Sequence, residues 1–256
     1  MKCPRGTRKN LKNGKCNSYS KIAIIIPYRD TSTHVRSQQL DTFIRYINNY
    51  LKGYRYTIFV IEQSEDGRKF NRGKLLNIGY LMADTYDHFI FHDVDLLPSV
   101  GLRKYYTNKN DQPVHLANVW GRYNSNSKYF GGVVSFSDHT FEKINGFPNN
   151  YWGWGGEDDE LYKRTIEFYS IKKVRKGTYQ DLENMTLSDK LSVLKVDQCK
   201  NNIKHELNAE HAKTWKSNGV RQTMFKELSR TECGNHCVKI TVDIQLNGDW
   251  ADAYAL

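Results

Sequence analysis

No stretch of this 256-residue chain approaches the roughly 20 consecutive apolar residues that a membrane-crossing helix requires. The longest apolar run near the amino terminus covers only residues 22–26. Residues 1–15 are basic but carry no apolar core, so they do not read as a signal peptide. The cysteines, Cys3, Cys16, Cys199, Cys233 and Cys237, are odd in number, which argues against a complete disulfide framework. Cys3 and Cys16 are spaced to clip an amino-terminal arm, and Cys233 and Cys237 to pair or to hold a metal; reduced thiols are the expectation in a cytosolic setting. G-x-S-x-G, H-E-x-x-H and P-loop patterns are missing, so phosphate binding has to come through a metal and arginine. Zinc-finger spacing, an RNA-recognition signature and internal repeats are missing too.

The formal net charge is +10, but Lys and Arg are spread along the chain, with only short clusters such as Lys172-Lys173 and Arg175-Lys176. That distribution reads as a solvated basic surface that draws in anionic small ligands, and gives nucleic acid little support. The 17 Tyr and 5 Trp suit sugar faces and base rings, and suit cores equally well.

Residues 22–26 form a β-branched run halted by Pro27, a buried-strand pattern. Val35, Leu40, Phe43, Ile44, Ile47 and Leu51 follow at helical spacing, with Gly53 as the stop. Residues 56–61 read as a second strand, Leu75, Ile78 and Met82 as a second helix, and residues 89–91 as a third strand. This alternation predicts an α/β fold with a parallel sheet and helices on both faces. Ligands in such sheets bind beyond the carboxyl ends of strands, where Pro27-Tyr28-Arg29 and Asp93-Val94-Asp95 both fall. Further on, 130–136 reads as a strand beside a Gly pair, 157–169 as a helix, 177–203 as loop-rich, and 204–217 as a helix ended by Gly219. Val238, Ile240, Val242 and Ile244 alternate as a late strand with one buried face.

Two clusters carry chemistry. Asp93 and Asp95 bring two carboxylates close together at a strand end, an unfavourable arrangement unless a cation or donor joins them. Hard oxygen ligands suit Mg2+ or Mn2+ bridging to substrate phosphates, so Asp95 is a candidate metal ligand; two solvated loop acids is the plainer alternative. The second cluster runs Trp152-Gly153-Trp154-Gly155-Gly156-Glu157-Asp158-Asp159-Glu160. Its glycines permit close approach of backbone to a ligand, its indoles offer flat surfaces to a sugar, and a carboxylate there can take a proton from an acceptor hydroxyl. The plainer alternative is a helix start with favourable acids.

Four ordered blocks resemble the β-1,4-galactosyltransferase family: residues 24–29 (Ile-Ile-Ile-Pro-Tyr-Arg), 70–79, 91–98, and 129–133 through 145–160. The His92-Asp93-Val94-Asp95-Leu96-Leu97-Pro98 form looks most like the xylosylprotein galactosyltransferase branch. The carboxyl-terminal third matches weakly, except near residues 240–244. The resemblance implies a GT-A fold, a Rossmann-like, mostly parallel sheet flanked by helices in a single domain. Residues 1–20 would be a basic arm, 21–100 the nucleotide-binding half and 101–256 the acceptor-binding half. It implies UDP-galactose as donor, Mn2+ or another divalent cation, a glycan or glycoconjugate acceptor, and inversion at the anomeric carbon. By the same resemblance Pro27, Tyr28, Arg29, Phe70 and Arg72 hold uracil and phosphates, Asp93 and Val94 line the nucleotide, and Asp95 ligates the metal. Trp154 sits on a loop that closes over the donor, Glu157 contacts the sugar, and Asp158 is the base. Gly155, Gly156 and Asp159 contact the acceptor, and Tyr129 matches a position whose bulk favours galactose over N-acetylgalactosamine. A UDP-glucose or UDP-N-acetylhexosamine transferase and an inactive carbohydrate-binding relative are the alternatives.

The chain departs from the family in three places. The His that completes the family's metal site has no counterpart; Asn184 falls nearest, with Asp181, Glu183 or the more distant His205 as substitutes. Thr31 stands near a second family arginine. The family's Golgi anchor and Cys pairs are missing, and residues 2–16 look like short amino-terminal segments of large DNA virus proteins. The expectation is a soluble cytoplasmic or virus-associated enzyme, or a Golgi-luminal one if the chain is a truncated piece.

Overall fold

A computed structural model describes residues 21–30, 36–123, 126–196 and 200–244, and the strand backbone of 7–9 and 16–18. Strands β1 (Thr7–Lys9) and β2 (Cys16–Ser18) pair antiparallel. Then follow β3 (Ile22–Tyr28), α1 (Ser37–Tyr50), β4 (Tyr56–Gln63), α2 (Arg72–Met82), β5 (His88–His92), β6 (Leu96–Pro98), α3 (Arg103–Thr107), β7 (Val114–His115), β8 (Val133–Ser137) and α4 (Asp138–Lys143). The second half adds α5 (Glu157–Phe168), β9 (Lys172–Lys173), β10 (Tyr179–Asp181), α6 (Leu187–Val196), α7 (Lys204–Ala209), α8 (His211–Thr214), β11 (Lys226–Glu232) and β12 (Cys237–Asp243). The remaining arm residues, Cys3, Thr31 and Cys199 lie outside the described residues, so the expected Cys3–Cys16 clip does too.

The main sheet has the order β11-β12-β4-β3-β5-β8-β7-β9. Its centre, β12-β4-β3-β5, is parallel, while β8 runs antiparallel to β5. Every residue of β3 is buried, because alternate side chains enter two cores. Ile22, Ile24 and Ile26 meet Leu40, Phe43, Ile44 and Ile47 of α1 on one face. Ala23 and Ile25 meet Leu75, Leu76 and Ile78 of α2 and Leu161 of α5 on the other. The expected mostly parallel sheet flanked by helices is therefore present. Among the described residues no helix is long and apolar enough to cross a membrane.

Helix α2 starts where the Asn71 side chain accepts from the Lys74 N–H, a cap that satisfies an otherwise orphaned donor. It lies so close on the sheet that a Cβ on Gly79 would overlap Ile25 Cγ2 and sit 3.1 Å from Ile61 Cγ1. Alanine would gain about 1 kcal/mol of helix propensity but meet overpacking of about 1–3 kcal/mol against two β-branched side chains. Gly79→Ala is thus expected to lower the thermal midpoint by several degrees, read by calorimetry; an unchanged or raised midpoint would contradict this packing.

Several expectations change. Pro27 does not end β3, which continues through Pro27↔Ile61 to Tyr28↔Glu62. Its pairing with β5 stops at Ile25, so one side of Pro27 lies outside the ladder, where a missing donor is tolerated. Residues 177–203 are not simply loop: they hold β10, which pairs antiparallel with β6, and α6. The helix expected over 204–217 is split into α7 and α8 at Glu210. Cys233 and Cys237 are not reduced thiols but a disulfide across the β11–β12 turn, which brings their Cα atoms to 5.1 Å.

Candidate active site

Strand β5 leaves the sheet through a turn, Asp93-Val94-Asp95-Leu96, in which the Leu96 N–H reaches back to the Asp93 carbonyl at 3.4 Å. Asp93 Oδ1 accepts from Arg72 at 2.8 Å, and the same guanidinium lies 3.4 Å from Glu157 Oε1. One arginine on α2 therefore joins the Asp93–Asp95 turn to the acidic start of α5, two segments 64 residues apart in sequence (157 − 93). Burial opposes the Arg72 charge, yet Asp93 and Glu157 outweigh it and hold the group protonated.

Helix α5 opens with Glu157, Asp158, Asp159 and Glu160, where the helix dipole favours negative charge. Its N-cap, Gly156, has φ +100°, a conformation that glycine adopts without penalty; a Cβ there would lie 2.8 Å from Tyr151 and 2.9 Å from Lys204. Burial, reinforced by Glu157 and Asp159, pushes the Asp158 carboxyl up to about 7. Burial likewise raises Glu157. Its Oε2 is buried with no hydrogen-bond partner among the described residues, an acceptor left over after Oε1 meets Arg72. Gly131 lies between Asp158 and Tyr129: a Cβ there would meet Asp158 Oδ2 at 2.7 Å and the Tyr129 ring at 2.8 Å. Tyr129 stacks on Tyr123, with ring centroids 4.3 Å apart.

Asp95, 6% exposed, faces Asp181 and Glu183, and oxygens of the three carboxylates lie within 4.8 Å of one another. The β6–β10 pairing produces this meeting by setting Asp181 opposite Leu96; the Leu182 N–H then donates to the Asp95 carbonyl at 2.8 Å. Glu183 accepts from Arg36 (2.8 Å), Arg122 (2.9 Å) and Lys190 (2.6 Å). Burial works against its ionisation, but these cations prevail and hold its carboxyl down at about 2. Asp181 accepts from Arg122 at 2.6 Å and from Trp120 Nε1 at 3.2 Å. Asp95 has only a distant cation, Arg36 at 3.8 Å, among the described residues. Burial, then Asp93, push its carboxyl up to about 7 against the pull of Arg36. A buried, poorly compensated carboxylate beside two others is an all-oxygen donor set that suits a hard divalent cation.

The other expected residues fall around this centre. Pro27, Tyr28 and Val94 are in or beside the sheet rim, with Tyr28 buried and its hydroxyl pushed up to about 12 by burial, Asp30 and Glu62. Arg29 donates to the Arg68 carbonyl at 2.7 Å, lies 3.7 Å from Asp66, and sits over the Phe70 ring. Trp154 and Gly155 are half-buried, and the loop is tied to the 200–201 segment by the Asn201 N–H donating to the Trp154 carbonyl at 3.2 Å. Asp159 is half-buried beside Asp158. Asn184 is exposed with φ +50°, next to the carboxylate cluster, and His205 is exposed on α7. The sequence reading left out Arg36, Arg122 and Lys190. Each is an unremarkable basic residue in a chain with 38 Lys and Arg, and nothing local marks it as a partner of Glu183.

Residues 6–108 match the family described as the N-terminal region of glycosyl transferase group 7, and residues 111–184 match the one described as the N-terminal domain of galactosyltransferase. β-1,4-galactosyltransferase 4 of Rattus norvegicus is 36% identical over 252 residues, covering 94% of this chain and 69% of that protein. The Cricetulus griseus protein of the same name is 37% identical over 243 residues, covering 90% and 65%. The chain thus spans about two thirds of these relatives' length. The catalytic domain of Drosophila β-1,4-galactosyltransferase 7 in complex with xylobiose superposes with a TM-score of 0.74 at 25% identity, covering 91% of this chain and 99% of that one. A mutant of that enzyme in complex with manganese, UDP-Gal and xylobiose gives 0.72 at 25% identity, covering 89% and 95%. On sequence and fold together, the chain belongs to the β-1,4-galactosyltransferase family.

Proposed function

We propose that this chain is an inverting, metal-dependent galactosyltransferase that moves galactose from UDP-galactose to a sugar hydroxyl of a glycan or glycoconjugate. The observation that carries the reading is Arg72, whose contacts with Asp93 (2.7 Å) and Glu157 (3.4 Å) join the carboxylate turn to the start of α5. The Drosophila relative's complex with manganese, UDP-Gal and xylobiose supports the same donor, cation and class of acceptor. Residues 21–100 then form the nucleotide-binding half and 101–256 the acceptor-binding half.

Asp95, with Asp181 and Glu183, would hold the divalent cation; we assign these two acids in preference to Asn184. Hard oxygen donors fit manganese and magnesium alike. When bound there, a divalent cation would supply charge neutralisation for a departing diphosphate. Pro27, Tyr28, Arg29, Phe70, Arg72, Asp93 and Val94 bind the nucleotide, with Trp154 over the donor. The free Oε2 of Glu157 accepts a donor-sugar hydroxyl. Asp158 takes the proton of the acceptor hydroxyl, whose oxygen attacks the anomeric carbon opposite UDP, which gives inversion. Gly155, Gly156 and Asp159 contact the acceptor, and Tyr129 limits the space beside the donor sugar. Closing the Trp154 loop excludes water, so that transfer outruns hydrolysis. The Cys233–Cys237 disulfide favours work in an oxidising compartment such as the Golgi lumen over the cytoplasm.

A donor screen with manganese present, reading UDP release with and without sugar acceptors, tests this. UDP-galactose should be consumed fastest, and an acceptor sugar should accelerate release. Preference for UDP-glucose or a UDP-N-acetylhexosamine would overturn the donor, and salt-sensitive DNA binding without any UDP-sugar turnover would overturn the whole reading.

A further inference from the structure

His92, the last residue of β5, is fully buried beneath the Asp93–Asp95 turn. Its Nδ1 lies 2.7 Å from the Asp93 carbonyl oxygen, which can only accept, so Nδ1 carries the hydrogen. A neutral imidazole has one N–H, so Nε2 accepts from the Tyr106 hydroxyl at 2.8 Å. Tyr106 has then used its one hydrogen, and the contact with the Tyr179 hydroxyl at 3.0 Å must be donated by Tyr179. All donors run one way, from Tyr179 through Tyr106 and His92 to the Asp93 carbonyl.

The two ends of this chain are informative. The Asp93 carbonyl opens the turn that carries Asp95, and its turn-closing bond from Leu96 is long, 3.4 Å. The short bond from His92 therefore fixes the turn better than its own backbone does. Tyr179 lies in β10, two residues before Asp181, and residues two apart share a strand face. A core here could be filled equally well by phenylalanine; three polar groups in register connect the two segments that bring Asp95 and Asp181 together.

We propose that His92, Tyr106 and Tyr179 form a relay that sets the spacing of the metal-site carboxylates, with His92 a positioning residue for the transfer reaction. The inference rests on the galactosyltransferase reading above. In the full chain, His92→Phe and Tyr179→Phe are expected to weaken Mn2+ binding in the presence of UDP by about 10–100-fold, the usual effect of removing an outer-shell partner, read by electron paramagnetic resonance of free Mn2+. His92→Asn, whose amide N–H2 can stand in for Nδ1–H, should recover most of that loss. A structural role alone would not separate the Asn and Phe variants at equal melting temperature. Both Phe variants folded with parental Mn2+ affinity would overturn the relay. Should the parent bind neither Mn2+ nor UDP, the functional reading fails, and the ring 15N spectrum of His92 decides the relay by itself. An Nδ1-protonated neutral ring supports it; an Nε2-protonated or cationic ring overturns it.

Discussion

Asp158→Asn is expected to lower kcat for galactose transfer by about 10²–10⁴-fold, the usual contribution of a positioned general base, while the Mn2+–UDP complex still binds. The side chain sits in the first turn of α5, beside Gly131 and close to the Tyr129 ring, where no larger residue than glycine leaves it room. Asparagine keeps the shape but accepts no proton. Burial and the neighbouring acids Glu157 and Asp159 push the Asp158 carboxyl up to about 7. A base works only when deprotonated, so kcat/KM of the parent should climb as pH rises through about 7 and level off above it. The substituted enzyme should lose that limb. Single-turnover transfer rates and a UDP titration separate the two effects. Persistent transfer by the Asn variant would place the base elsewhere, whereas lost UDP binding would show that Asp158 shapes the donor site.

The second large effect concerns Asp95, through opposite changes with and without metal. Its folded carboxyl is raised to about 7, against an unperturbed 3.8, chiefly by burial and then by Asp93. The folded state therefore holds the proton more tightly than the unfolded chain. The resulting destabilisation builds as pH rises from about 4 and is complete above about 7. Asp95→Asn removes that penalty, so the metal-free protein should melt no lower than the parent at pH 8, and higher if Glu183 keeps Arg36, Arg122 and Lys190. With Mn2+ at 100 times its Kd the parent gains about 2.7 kcal/mol; the variant should gain almost none. Differential scanning calorimetry with and without Mn2+ reads both signs in one experiment. Equal metal-induced shifts in the two proteins would remove Asp95 from the metal site.

The long elements were legible because their signals are local. Residues 22–26 are apolar throughout, as a strand covered on both faces must be, and the 3–4 spacing of Leu40, Phe43, Ile44 and Ile47 marks one helix face. Strand β10 was not legible. Its three residues, Tyr179–Asp181, have no periodicity of their own and are extended because β6 pairs with them from 81 to 85 positions away (Pro98 with Tyr179, Leu96 with Asp181). The same gap explains the metal site. A family likeness pointed to Asn184, one residue past the acids that the β6–β10 register turns toward Asp95. The Cys233–Cys237 bridge was open in the sequence, since a three-residue spacing suits a thiol pair, a metal or two free side chains; the hairpin turn decides among them.

By itself the sequence determined the alternating α/β plan, the two acidic clusters and the family, because each depends on neighbouring residues whose chemistry does not change with context. Only the tertiary structure decided which carboxylates share a cation, that Arg72 joins Asp93 to Glu157, and which way the His92 ring points. Those are contacts across many tens of residues, and their partners are ordinary basic and aromatic side chains. Burial and register, which exist only once the sheet has formed, turn them into a site.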